Sequence, residues 1–225
     1  MIYAKNGVKE QFEKSSVSIT GDMTLNGREI TSISTADILK LEVGMVICHA
    51  NFPNGTFIEN IYSNYIEVDK QSSGALSSQT IYAGNGLDIF FREIEKEFGT
   101  TLKRWKYLDS KESVTLQHPS IEILGTDIRT TYLNDDSPDF RAWDEHGLSI
   151  RIVNSGNNIN EVGDWILYCR EAIRRLINHD YTFQEKFESV VLDNADLSDM
   201  YKMRTRNDFL QILEQGIYVK SIASY

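Results

Sequence analysis

Asn158–His179 reads NINEVGDWILYCREAIRRLINH, and this stretch decides the fold. Apolar residues fall at Val162, Trp165, Ile166, Cys169, Ala172, Ile173, Leu176 and Ile177. That spacing predicts a helix that buries one broad face. Asn158 with Glu161 three residues on reads as a capping box. Glu161 and Asp164 early, with Arg170, Arg174, Arg175 and His179 late, suit the helix dipole. Tyr168, Glu171, Arg175 and Asn178 form the wet face, with Glu171 and Arg175 at ion-pair spacing. A helix with one apolar stripe needs a second layer, and strand-like segments on both sides of it supply a sheet.

Immediately upstream, Leu148, Ile150 and Ile152 alternate with Ser149, Arg151 and Val153, the period of a half-buried strand. Asn134–Gly147, NDDSPDFRAWDEHG, reads as a polar loop or hairpin tip, and Thr126–Leu133 as β-rich. Pro119 precedes a strand carrying Ile121 and Ile123. Downstream, Lys186–Leu192 and Asp208–Ala223 read as strands, joined by a charged connection over Asp193–Asn207. Asn85 opens another helix, with its stripe at Leu87, Phe90, Phe91, Ile94 and Phe98 and its stop at Gly99. The expectation is an α+β fold, a mostly antiparallel sheet packed with two amphipathic helices.

Ser16–Ala83 has a different texture. Short apolar runs such as VSIT, VGMVI, TFIENI, YIEVD and QTIYA alternate with turn signals, among them Asn26-Gly27 and Asn54-Gly55. Val43, Met45 and Ile47 alternate, as do Ile66 and Val68. This predicts a small all-β module. Residues 1–15 show no clear period and are expected to form an N-terminal arm, so the expected division is 1–15, 16–83 and 84–225.

The chain has 225 residues, 41% hydrophobic and 25% charged, with a net charge of -10. These values describe a folded protein and argue against nucleic acid as its main partner, since phosphate binding needs clustered Lys and Arg. No apolar run approaches the roughly 20 residues of a membrane helix, and the polar N-terminus lacks a signal-peptide core. Synthesis in a cytoplasm is expected. Cys48 and Cys169 are expected to be buried free thiols.

Chemical motifs are sparse. Gly84–Asp88, GNGLD, opens a helix but lacks a nucleotide fingerprint, so no cofactor is expected. There is no nucleophile elbow. His49, His118, His146 and His179 are scattered, without metal-ligand spacing. Asp135, Asp136 and Asp139 lie close together, as do Asp193, Asp196 and Asp199, but neither run matches an EF-hand. Solvated acidic loops are the plainer reading, so no catalytic or metal residue is assigned. Lys202, Arg204 and Arg206 form a basic spot in an acidic chain, and Phe140 and Trp143 stand in a polar loop. These five are the candidate interface residues.

Two resemblances follow from these patterns. Leu41, Val43, Gly44 and Met45, then Pro53, Asn54, Gly55 and Thr56, then Ile61, Ile66, Val68 and Ala75 resemble a β module met in phage structural proteins. Ile19–Gly27, ITGDMTLNG, looks like segments of tail-fibre and other virion proteins. The second resemblance covers Gly84–Tyr225. A short helix, the strand of Pro119, Ser120, Ile121, Glu122 and Ile123, an acidic hairpin, the strand Leu148–Val153, a helix with an early Asp164-Trp165 and two final strands resemble the tail-terminator or neck family of long-tailed bacteriophages.

That resemblance implies a non-enzymatic virion protein. Its homo-oligomeric ring, usually a hexamer, closes the tail tube and joins it to the head-tail connector, with DNA only as passing cargo and no membrane. The implied place is the virion tail or neck. A baseplate or other tail component with the same fold is the alternative. A small enzyme with a carboxylate metal site over Asn134–Gly147 is a further one.

Overall fold

In the computed structural model the described residues are 2–107, 119–132, 142–193, 201–204 and 209–223. The protein is of mixed α+β class, and its strand pairings are antiparallel except for one short parallel pair. It divides into two compact units. One comprises Met1–Gln11 with Leu102–Tyr225, and the other Phe12–Thr101.

The second of these units is built on a closed barrel of six strands in the order β1-β2-β5-β4-β3-β6. The strands are β1 (Val17–Met23), β2 (Glu29–Thr31), β3 (Val46–Cys48), β4 (Thr56–Ile61), β5 (Ile66–Val68) and β6 (Leu76–Gly84). Closure leaves no sheet edge to solvent. Ile19, Ile30, Ile47, Ile58, Ile66, Val68 and Ile81 fill the interior, joined by Phe52 and Met45. Burying each large side chain stabilises by about 1.5–3 kcal/mol.

The unit is not all-β, because it also holds two helices. In α2 (Thr35–Ile38) Ser34 caps the amide of Asp37. In α3 (Leu87–Phe98) the amphipathic face packs on β3 and β6. This second contact explains why Val46, Ile47 and Cys48 are all buried, where a strand with one wet face would alternate. The expected boundary at residue 84 therefore moves to 101, and α3 belongs to the barrel unit, on β3 and β6.

Local chemistry corrects three further expectations here. Gly86, not Asn85, caps α3, and Asp88 instead accepts from the Ser16 amide and hydroxyl and pairs with Arg92. Val43 is exposed, because Gly44 turns the chain at φ 88° before β3 begins. Phe98 is also exposed, and Ile89 is buried in addition to the other four stripe residues. Gly99 ends the helix in the left-handed region, as its position predicts.

The other unit carries the long sheet. Its strands are β7 (Lys106–Tyr107), β8 (Ser120–Tyr132), β9 (Ala142–Gly156), β10 (Ser189–Leu192), β11 (Tyr201–Arg204) and β12 (Phe209–Ala223). The order is β10-β12-β9-β8-β7, with β11 also on β12. Helix α4 (Ile159–His179) packs on β9, β10 and β12, and all eight residues of the predicted stripe are buried. Cross-strand rows such as Ile121/Ile152/Leu213 and Gly125/Leu148/Ile217 belong to one face of the sheet. Asn158 caps the Asn160 amide, but Glu161 accepts from the Asn158 side chain rather than closing the backbone half of a capping box.

Residues 2–13 are not an arm but helix α1 (Ile2–Glu13). Ala4, Val8, Gln11 and Phe12 are buried at helical spacing, which is the signal a weak stripe leaves. Tyr3 meets the Phe187 ring edge-on at 5.8 Å, and Glu10 pairs with Lys186 at 2.7 Å. Gly7 lies so close to Phe187 that a side chain there would collide with the ring.

Candidate functional site

The expected polar loop over Asn134–Gly147 is shorter than its composition suggests. Pairing between β8 and β9 continues to Tyr132↔Ala142, and β12 accompanies β9 to Ala223↔Ala142. Polar Asp144, Glu145 and His146 are thus strand residues, held by partners on both sides. Trp143 falls on β9 opposite Thr131 and Ile222 rather than in a loop. Lys202 and Arg204 lie on β11, opposite Gln211 and Phe209, in what reads as a connection in the sequence. Phe140, Arg206 and the Asp135/Asp136/Asp139 group lie outside the described residues.

The sheet offers two features to a partner. The first is an edge. β7 pairs with β8 only at Ser120 and Ile121, so from Glu122 onward β8 has no second neighbour among the described residues. An unpaired strand edge presents a row of backbone donors and acceptors. Thr126, Ile128, Arg129 and Thr130 are exposed along it. The strand bends there, because a bulge at Gly125/Asp127 admits Thr126 as an extra residue. Gly147 is required opposite that bulge, since a Cβ would collide with Asp127 and Thr126.

The second feature is a charged face. Glu122, Arg151 and Glu214 form one cross-strand row, and Arg129, Glu145 and Lys220 another. Arg151 donates from Nε to Glu214 at 2.8 Å and from Nη1 to Glu122 at 3.1 Å. The Glu214 hydrogen bond, with both carboxylate charges, holds the guanidinium pKa above its ordinary value. On α4, Glu171 accepts from Arg174 and Arg175, and the Arg174 hydrogen bond lowers its pKa.

A polar group also stands inside this unit. His146 is buried, with Ser221 Oγ 3.4 Å from Nε2 and no hydrogen-bond partner on Nδ1. Burial lowers its pKa, and Asp144 opposes that shift. In the barrel unit, burial likewise lowers the pKa of His49. Cys48 and Cys169 are both free and buried, as their sequence positions predict, and burial raises each thiol, Cys48 to about 11.

The arrangement defines a class: a mostly antiparallel sheet backed by a helix, with an edge open among the described residues and a charged face, joined in sequence to a barrel unit. It offers surfaces for association. Among the described residues no group of three or more His, Cys, Asp or Glu side chains could hold a metal ion. No helix there is long and apolar enough to cross a membrane. Compared with known proteins, the chain matches no family model and no curated protein significantly.

Proposed function

We propose that this chain is a virion structural subunit, a tail terminator or neck protein. Its copies close into a ring, six-fold by the family resemblance, that caps the tail tube and meets the connector. One observation carries most weight: among the described residues β8 has no second neighbour from Glu122 to Tyr132, on a sheet whose other side ends in short β10 and β11. A ring requires two different surfaces on each subunit, repeated until they close. The β8 edge and the β11 edge, which carries Lys202 and Arg204, are such a pair. The acidic balance of the chain favours contact with that basic segment and lets DNA pass without sticking.

The test is the mass of the purified chain by light scattering, with negative-stain imaging, alone and with isolated tail tubes. Rings, or caps on one tube end, are expected. A monomer that ignores tubes overturns the reading.

A further inference from the structure

The barrel carries a groove that the ring reading does not use. Its cavity is about 430 Å³ and is lined by Thr24, Asn26, Arg28, Glu59, Glu67 and Gln71, with Gly27 and Glu29 completing it. That volume lies in the range of small-ligand sites. Its polar side chains are already oriented. Arg28 donates from Nε to the Val68 carbonyl at 2.8 Å and pairs with Glu59. Glu67 accepts from Asn60 Nδ2 at 2.9 Å and from the Tyr62 hydroxyl at 3.2 Å. The turn beneath is fixed too, because Asn26 donates to the Ser72 carbonyl and Ser72 to that of Gly27, both at 2.8 Å.

Beside Glu67 stands an aromatic pair. Tyr62 and Tyr65 stack at 4.2 Å with 7° between their planes, at the β4–β5 turn, and Tyr62 is 40% exposed. Tyr62 is the exposed member and Tyr65, half-buried, backs it, so the pair offers a flat apolar ring beside the groove through the Tyr62–Glu67 contact.

We propose that this groove and its tyrosine pair bind a neutral carbohydrate. Sugar hydroxyls are donors and acceptors at once, so they satisfy carboxylates, the guanidinium and the amides together. The C–H face of a pyranose packs on an aromatic ring, which supplies apolar area at little cost in conformational freedom. The alternatives fit less well. Three carboxylates against one arginine repel an anionic ligand. An organic cation would meet Glu29 and Glu67, which are directly opposite each other across β2 and β5. It would leave the side-chain amide donors of Asn26 and Gln71 without acceptors, while Arg28 stays on Glu59 and the Val68 carbonyl.

The experiment is a titration of the ¹⁵N-labelled full chain with neutral oligosaccharides of glucose, galactose and N-acetylglucosamine, read by amide shifts. Saturable shifts confined to residues 24–29, 59–67 and 71 are expected, with dissociation constants of about 1 mM or tighter. Glu67→Gln should weaken binding about tenfold, the order expected for losing a charged hydrogen bond. Tyr62→Ala should abolish it and Tyr62→Phe should retain the stacking contribution. Tyr62 is exposed, so these variants are expected to fold, which the same spectra report. Absence of shifts with every sugar at about 10 mM overturns the proposal, as do shifts produced by an arginine-rich peptide but by none of the sugars.

Discussion

Arg151 and Glu214 stand directly opposite each other on β9 and β12, with Arg151 Nε donating to Glu214 Oε1 at 2.8 Å. The same guanidinium reaches Glu122 on β8, so one side chain ties three strands across the face. Without it, two carboxylates share that row with no cation between them. Arg151 is 36% exposed, so solvent screening limits the effect. Arg151→Met is expected to destabilise by about 1 kcal/mol, and adding Glu214→Gln to recover part of that loss. Urea unfolding of the two single variants and the double variant measures it.

His146 makes stability depend on pH. Burial holds its folded pKa below the ordinary 6.5, so the unfolded chain takes up a proton at a pH where the folded chain does not. Its contribution is full above about pH 6.5 and is lost as pH falls through the ordinary value towards the lowered one. His49 adds a contribution of the same sign. Thermal unfolding between about pH 5 and 8 should show the midpoint falling on the acid side, with His146→Gln flattening part of the slope. An unchanged slope would mean that the imidazole finds a way out to water.

Asp180 holds an unusual loop. Phe183, Gln184 and Glu185 all have positive φ, at 50°, 58° and 62°, and none is glycine. Left-handed backbone costs roughly 1–2 kcal/mol per such residue. The Asp180 carboxylate offsets this by accepting from the Thr182 amide and hydroxyl and from the Gln184 amide. The loop buries Phe183 and Phe187, whose rings meet edge-on at 6.3 Å. Asp180→Ala is expected to destabilise by about 2 kcal/mol. Hydrogen exchange should show the loss first at residues 181–188.

The two thiols should be silent in the folded chain. Only thiolate reacts, and burial raises both pKa values. A disulfide-exchange reagent is expected to label neither Cys48 nor Cys169 until denaturant is added.

Much of this was legible in the residues, for physical reasons that differ by element. The α4 stripe was read whole because large apolar residues recur through about six turns, which leaves no competing period. The barrel strands were found from turn chemistry, since Asn26 and Gly55 do adopt the positive φ their types allow. Closure was not legible, because it depends on which strands pair. Helix α1 was missed since its buried positions include small Ala4 and polar Gln11. The upper hairpin was missed for the opposite reason: Asp144 and Glu145 look like loop, and only their neighbours on β8 and β12 make them strand. The Arg151 row needed the register of three strands, which no local pattern supplies. Similarly, Arg28, Glu59 and Glu67 come together only through the pairing of β5 with both β2 and β4.

The ring reading makes a demand on β11. Lys202 and Arg204 sit two positions apart on a strand that pairs with β12 and, among the described residues, with nothing beyond it. If this edge meets an acidic surface of the next copy, each subunit contributes the same charge pair once, and a closed ring multiplies any defect by the number of interfaces. A surface ion pair contributes at most about 1 kcal/mol, so a single neutral substitution should pass unnoticed in assembly. Lys202→Glu with Arg204→Glu turns attraction into repulsion at every interface. That double variant is expected to keep the unfolding midpoint of the monomer while shifting the mass from ring to monomer. For the unaltered chain, rings should weaken as salt rises from about 0.05 to 0.5 M, because screening shortens the reach of exposed charges. Rings of equal mass and salt response in the double variant would place the contact elsewhere, and a variant with its β8 edge blocked would then be the one to separate ring from monomer.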